Sequence, residues 1–250
     1  MNKLMNKLVL SVLCAALSAL TIDVAAAASA KNAKGQTAFT VRIENVSTTA
    51  TLQLSGGGTA PAPNSPGAWV VQDKPARLFE PGKLQAGWGL EMQAEDGNPS
   101  MLAEHCMHHE GVLSSGVFNT PKGDEKPGPA FPGKVYEFTV MAKPGDRLAF
   151  TSMFGQSNDV FFGTDDKGIA LFANGRPVSG DMTAQVFLWD AGTEVNEEPG
   201  MGPNQAPRQS APNTGPSEAK PVQRVKDGYV WPKVSDVIRV TISSPLSAAN

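Results

Sequence analysis

Residues 38–46 read A-F-T-V-R-I-E-N-V. The apolar side chains in this stretch, Phe39, Val41 and Ile43, alternate with polar ones. An apolar residue at every second position is typical of a β-strand that has one face in the core. The stretch therefore predicts a half-buried strand, and the recurrence of its pattern decides the fold class.

The same alternation returns at intervals along the chain, in residues 136–140, 148–154, 184–188 and 238–242. Shorter strands are predicted at 51–54 and 69–71. Asn174 and Gly175 separate residues 168–172 from 177–178, and this pair suits the positive φ angles of a tight hairpin. With 25 Gly, 20 Pro and 7% aromatic residues in a chain of 250, these segments predict an all-β fold, an antiparallel β-sandwich with long loops rich in Pro and Gly.

Two segments depart from the strand pattern. Asn98 and Pro99 suit a helix start and Gly111 suits a helix end, which predicts one short helix over Ser100–Glu110 as a surface insert. Residues 196–221 contain six prolines and few aliphatic side chains, which predicts a long loop that buries little surface.

The N-terminus predicts export. Lys3 and Lys7 precede the apolar run 8–20, and small residues with Ala-x-Ala sites follow up to Ala30. This is typical of a signal peptide, cleaved after about residue 30, and the run is shorter than the roughly 20 residues of a transmembrane helix. We expect a periplasmic or secreted protein with a linker at 31–37, one domain at 38–244 and a tail at 245–250.

The net charge bears on which partners the protein binds, and the cysteine content bears on whether disulfides stabilise it. The net charge is −3 without a basic run, which argues against nucleic acid as a partner. Only Cys106 remains after cleavage at residue 30, so no intramolecular disulfide is expected in the mature chain.

The first candidate site is acidic and spans two predicted loops, each of which follows a predicted strand. Residues 156–163 read QSNDVFFG, and residues 189–200 read WDAGTEVNEEPG. Asp159, Asp190 and Glu194 supply three carboxylates, which suit calcium as a hard cation that prefers oxygen ligands. The alternative is that all three are solvated turn residues.

These two segments also resemble a known family. Together with AFTSMF before them, GIALFANGRPVSGDMTAQVFLW between them and YVWPKVSDVIRVTI after them, they are similar to the spondin domain of F-spondin and mindin, and most of all to its bacterial stand-alone versions. The similarity extends over residues 39–243 and includes LFEPGKLQAGWGLEMQAEDGNPSML and SSGVFNTP. It implies a β-sandwich like that of calcium-dependent membrane-binding modules, with calcium held between loops at one end.

The resemblance also implies calcium ligands. The S-P-D-W motif of animal members places its acid at Asp159, and the D-A-G-T-D motif places its two acids at Asp190 and Glu194. Here Asn158 and Val160 replace Pro and Trp, and Glu replaces the second Asp. Further oxygens are expected from Asn158 or Thr193.

The second candidate site is M101-L-A-E-H-C-M-H-H-E110, which contains all three histidines. On a helix, Met101, His105 and His109 share a face. Together with Cys106 they suit copper or zinc better than calcium. The alternative is a surface helix with solvated histidines.

The leading functional hypothesis is a calcium-binding protein that acts as a non-catalytic binding or adhesion module toward a cell-surface, glycan or protein ligand. One alternative is a periplasmic protein that handles copper or zinc through the 101–110 cluster. A second alternative is a secreted hydrolase, although the G-x-S-x-G, P-loop and H-E-x-x-H motifs do not occur in the sequence.

Overall fold

A computed structural model describes residues 35–75, 78–85 and 88–245 of this chain. The predicted signal peptide, most of the predicted linker and the tail beyond residue 245 lie outside the described residues. Within the described part, no helix has the length and apolar character needed to span a membrane.

The described residues are mainly β-structure. The strands are β1 (Thr37–Asn45), β2 (Leu52–Gln53), β3 (Thr59–Ala60), β4 (Asn64–Gln72), β5 (Val112–Phe118), β6 (Val135–Ala142), β7 (Arg147–Phe154), β8 (Val160–Thr164), β9 (Ile169–Ala170), β10 (Phe172–Ala173), β11 (Arg176–Pro177), β12 (Gly180–Asp181), β13 (Val186–Asp190), β14 (Gln223–Arg224) and β15 (Ile238–Ser243). The helices are α1 (Leu90–Asp96), α2 (Ser100–Met107) and α3 (Val234–Val237), with a 3₁₀ turn at Thr183–Gln185.

Two antiparallel sheets form the body of the fold. The smaller has the order β12-β15-β1-β6, and the larger has the order β14-β13-β8-β7-β4-β5 with β9 paired to β7. Phe39, Val41 and Ile43 of β1 are fully buried in the same apolar cluster as Phe150 of β7 and Phe162 of β8. Burial of these facing side chains stabilises the pair of sheets. The prediction of an all-β antiparallel sandwich is confirmed.

Strands β1, β6 and β15, each with one buried face, were predicted from the sequence, whereas β5 was not. Asn174 and Gly175 have φ of 51° and 74° at the predicted hairpin between β10 and β11. The sequence predicts a loop at residues 156–163, but these residues include most of β8, in which every residue is buried. A strand covered on both faces carries no period-2 pattern.

A second apolar cluster covers the outer face of the larger sheet. Leu90 of α1, together with Leu102 and Cys106 of α2, packs with Val70 and Phe161 of the sheet. The prediction that the histidine-containing helix is a surface insert is therefore wrong, and the helix ends at Met107 rather than Glu110. Helix α1 was not predicted.

A buried asparagine joins three segments at one end of the smaller sheet. The Asn45 side-chain nitrogen donates to the carbonyls of Ala62 and Ala130, each at 2.9 Å. Its oxygen accepts the Ser47 backbone N–H at 3.0 Å. Such a group stabilises the fold because each buried polar atom is paired.

Candidate metal site

Pairing of β8 with β13 brings the two acidic segments together. Asp190, the last residue of β13, pairs with Val160, the first residue of β8. Asp159 precedes Val160, and its carbonyl accepts the Ala191 N–H at 3.2 Å. Asp159 and Asp190, 31 positions apart in the chain, thus lie at the ends of two neighbouring strands of the larger sheet.

Asp159 is fully buried and is held through one of its two oxygens. Oδ2 accepts the Thr193 N–H at 2.7 Å, the Thr193 hydroxyl at 3.2 Å and the Glu194 N–H at 3.1 Å. Oδ1 is buried and accepts no hydrogen bond from the described residues. One oxygen therefore fixes the loop, and the other keeps its full capacity to bind a cation or a proton.

Glu194 lies beside Asp159 and is held by two other segments. Its Oε1 accepts the Gly215 N–H at 2.9 Å, and its Oε2 accepts the Asn158 side-chain nitrogen at 3.4 Å. A Cβ on Gly215 would lie 2.1 Å from Glu194 Oε2, closer than any side chain tolerates. Gly215 is therefore the residue that lets the proline-rich loop reach this carboxylate.

The proline-rich loop 196–221 packs against the site more closely than its composition indicated. Gln205 within it is fully buried. Gln209 donates to Asp96 Oδ1 at 2.9 Å, and Arg208 donates to Gln156 Oε1 at 3.0 Å. Most residues of the loop are exposed or half-buried, as predicted, while its polar side chains hold it to α1 and to the segment before β8.

Asn158 does not offer its oxygen to the acidic cluster as expected. Its Oδ1 accepts the Glu197 N–H at 3.0 Å, while its side-chain nitrogen faces Glu194 and Glu197. The Asn158 side chain therefore orients the Glu194 carboxylate, and its expected role as an oxygen ligand stays a prediction. Thr193 contacts Asp159 directly and retains hydroxyl lone pairs for a ligand role.

Asp190 is buried but engaged through both oxygens. Oδ1 accepts the Gly192 N–H at 2.8 Å, and Oδ2 accepts the Asn196 side-chain nitrogen at 3.2 Å. Gly192 has a φ of 71°, and a Cβ there would lie 2.3 Å from the Lys220 carbonyl oxygen. Asn196 Oδ1, beside Asp190, is buried and unpartnered in the described residues.

Glu95 is the acidic residue that sequence reasoning did not single out. It lies in α1 and is 1% exposed. Neither of its carboxylate oxygens accepts a hydrogen bond from the described residues. Its stretch, GLEMQAEDG, belongs to the spondin resemblance, but a single Glu in an unpredicted helix gave no sign of burial.

The electrostatics of the cluster oppose ionisation. The pKa of Glu95 is raised to about 8, mainly by burial and also by the charges of Glu194, Glu91 and Asp159, while the nearby Thr193 hydroxyl partly opposes the shift. Burial and the Asp190 charge raise the pKa of Asp159 to about 7, against the lowering effect of its hydrogen bonds. Burial also raises the pKa of Asp190 and Glu194. A bound cation would relieve this repulsion.

The donor chemistry of the cluster fits a hard divalent cation. Glu95 and Asp159 contribute three buried oxygens without hydrogen-bond partners in the described residues, and calcium prefers carboxylate and carbonyl oxygens. No group of three or more Asp, Glu, His or Cys side chains in the described part of the chain already has the arrangement of a metal site. Ion binding would therefore require these side chains to rearrange.

The second predicted cluster divides between two faces of α2. His105 and His109 meet, with their Nε2 atoms 3.0 Å apart. Cys106 is buried among apolar residues, and burial raises the pKa of its thiol to about 12. Met101 is 46% exposed. The structure therefore brings His105 and His109 together and places Cys106 on the buried side of α2, because adjacent positions on a helix point in different directions.

An apolar pocket of about 320 Å³ is lined by residues close in the chain to the acidic cluster, among them Asp96, which follows Glu95. Its walls come from the start of β4, the end of α1 and the proline-rich loop, and they include Pro66, Asp96, Gln156 and Pro207. The segments that hold the acidic side chains therefore also form a concave surface.

Comparison with protein-family models and with curated proteins finds no match to this chain. The resemblance to the spondin domain stays a prediction from the quoted motifs.

Proposed function

We propose that this chain is an exported calcium-binding protein of the spondin-domain type, acting as a non-catalytic binding or adhesion module at the cell envelope or outside the cell. Glu95, Asp159 and Glu194 would hold the ion, with Thr193, Asp190 and Asn196 as neighbouring oxygen donors. The motifs around Asp159 and Asp190 support the family, and the buried carboxylates support the ion.

One observation supports the ion above all: Glu95 Oε1 and Oε2 and Asp159 Oδ1 are buried without partners in the described residues. A buried ionised carboxylate without a partner is strongly unfavourable, so the group is either protonated or neutralised by a cation. Three such oxygens on two neighbouring acids provide half of the six or more that calcium takes.

Calcium would act on the structure by joining separate segments. Glu95 comes from α1, Asp159 from the start of β8, and Glu194 from the loop after β13, which Gly215 connects to the proline-rich loop. Neutralising their repulsion would fix these segments relative to one another. The surface that they form, together with the apolar pocket, would then be rigid when a partner binds.

The burial of the acidic side chains favours a binding function over a catalytic one. A catalytic carboxylate must come within hydrogen-bond distance of the reacting group. Asp159 is fully buried and Glu95 is 1% exposed, so a substrate would first have to displace the covering segments. A hydrolase would be supported by turnover of a glycan or ester that a single acidic substitution abolishes.

The experiment is a calcium titration of purified, metal-stripped protein by calorimetry, combined with thermal unfolding. We expect one calcium ion per chain. At a calcium concentration about 100 times Kd, the free energy of unfolding rises by about 2.7 kcal/mol, which corresponds to an increase in melting temperature of about 5–10 °C.

Two variants locate the site. Glu95→Gln and Asp159→Asn remove a charge without changing side-chain size, so each should abolish the calorimetric signal and the calcium-dependent rise in melting temperature. Glu104→Gln, in the exposed part of α2, is the matched control and should behave like the unmodified protein. Unchanged calcium affinity in both site variants would show that the ion binds elsewhere.

A further inference from the structure

The histidine pair at the end of α2 forms a small aromatic cluster separate from the acidic site. Trp88 contacts both rings, with centroid distances of 5.2 Å to His105 and 5.3 Å to His109. The two imidazole centroids are 4.7 Å apart. All three side chains are half-buried, so the rings exclude some water while remaining accessible to a small ion.

The contact between α1 and α2 positions this tryptophan. Gly89, which follows Trp88 and precedes α1, has a φ of 87°. A Cβ at this position would lie 2.5 Å from the Leu102 backbone nitrogen in α2. Because Gly89 has no side chain, the start of α1 lies directly against α2 and brings Trp88 to the two histidines.

The distance between the two histidine nitrogens suits metal chelation. Metal-bound imidazole nitrogens lie about 2.0–2.1 Å from a zinc or copper ion, so two adjacent ligands are about 2.8 Å apart in a square-planar site and about 3.3 Å apart in a tetrahedral site. The His105 and His109 Nε2 atoms are 3.0 Å apart. A shift of a few tenths of an ångström therefore accommodates either geometry.

From this geometry we propose that His105 and His109 form a bidentate Cu²⁺ site beside the Trp88 ring. Imidazole is a good ligand for divalent copper, and copper binds such a site more tightly than nickel or zinc does. Solvent oxygens complete the coordination. Cys106 takes no part because it is buried among apolar side chains.

Metal binding replaces the hydrogen bond between the rings. In the metal-free pair one Nε2 donates its hydrogen to the other. When both Nε2 atoms bind Cu²⁺, each neutral ring carries its hydrogen on Nδ1. The donor ring therefore exchanges its Nε2 hydrogen for one on Nδ1 through solvent, with no net release of protons and no change in copper oxidation state.

The test is a Cu²⁺ titration of the full chain in buffer with glycine as a competing chelator, followed by calorimetry and tryptophan fluorescence. We expect one equivalent to bind and to quench part of the fluorescence, because Cu²⁺ lies next to Trp88. Trp88→Phe should remove this quenching and preserve calorimetric binding. Electron paramagnetic resonance should show coupling to two equivalent nitrogens.

Single substitutions test whether copper binding depends on His105 and His109 and not on the neighbouring His108. His105→Ala and His109→Ala should each weaken Cu²⁺ binding by about a hundredfold, because the second imidazole binds within the same molecule. His108→Ala is the matched control, since His108 is exposed and contributes no ring to the pair. Circular dichroism of each variant establishes that it is folded.

Two results would overturn the proposal. One is an equal loss of affinity in His108→Ala and in the pair variants. The other is unchanged 1:1 binding in the His105→Ala, His109→Ala double variant. Glu95→Gln should leave Cu²⁺ affinity unchanged, so failure of the calcium proposal and failure of the copper proposal give different results.

Discussion

The backbone N–H of Glu194 donates a hydrogen bond to Asp159 Oδ2 at 3.1 Å, across 35 residues of chain. This contact makes one carboxylate oxygen a fixed part of the loop after β13. Asp159 Oδ1 is left buried and unpartnered in the described residues. The acidic cluster therefore combines a rigid support with unused ligand capacity.

Metal-free protein should become less stable as pH rises. The folded-state pKa of Glu95 is raised from 4.5 to about 8 and that of Asp159 from 3.8 to about 7. Between about pH 4 and pH 8 the folded state consequently binds more protons than the unfolded state, so the free energy of unfolding falls as pH rises through this window. Because both carboxyl groups contribute, we expect a total loss of several kcal/mol across this window.

Thermal unfolding at pH 5.5, 7 and 8.5 in the presence of a chelator measures this dependence. Glu95→Gln should remove much of the slope, and excess calcium should flatten it in the unmodified protein. A metal-free stability that rises steadily from pH 5.5 to 8.5 would contradict the assigned electrostatics.

Calcium affinity should fall as the solution becomes more acidic. Protons compete with the ion for Glu95 and Asp159, because a carboxylate must be deprotonated to bind the metal. We expect the affinity at pH 6 to be at least about tenfold lower than at pH 8, with protons released on binding near pH 7. Calorimetry in two buffers of different ionisation enthalpy measures the release. Equal affinity at both pH values would exclude Glu95 and Asp159 as ligands.

Gly215→Ala should disturb the acidic cluster from within the proline-rich loop. The new methyl group would lie 2.1 Å from Glu194 Oε2, so either the carboxylate or the loop must move. We expect a calcium affinity reduced by about 10- to 100-fold, comparable to the loss of a residue that orients a ligand. Gly128→Ala is the matched control, because a Cβ there meets no atom within 4 Å. Equal affinities in the two variants would show that the contact between Gly215 and Glu194 does not position the ion.

Asn45→Ala should destabilise the sandwich without affecting the ion. It would remove the hydrogen bonds of Asn45 to the Ala62 and Ala130 carbonyls and leave the buried Ser47 N–H without its acceptor. The expected loss is about 2–3 kcal/mol in the free energy of unfolding, measured by denaturant titration. Calcium affinity of the folded variant should be unchanged, and a large drop in affinity would mean that the two regions are coupled.

Alternation of apolar and polar residues was sufficient to predict β1, β6 and β15, because each of these strands has one face in the core. The same alternation predicted β7, although seven of its eight residues are buried. It was insufficient for β8, which is buried throughout. Helix α1 was missed because its seven residues are too few to show a clear period. Of the buried acidic side chains that the structure brings together, Asp159, Asp190 and Glu194 were singled out from the sequence and Glu95 was not.

The sequence by itself determined the sandwich class and placed Asp159 and Asp190 at the ends of strands, since local periodicity encodes which face of a strand is buried. Only the tertiary structure decided which polar side chains are buried next to one another. Burial of Glu95 beside Asp159 and the meeting of Trp88 with two histidines depend on the packing of α1 against the larger sheet and α2. Such contacts join residues that are distant in the chain, so the local sequence pattern does not predict them.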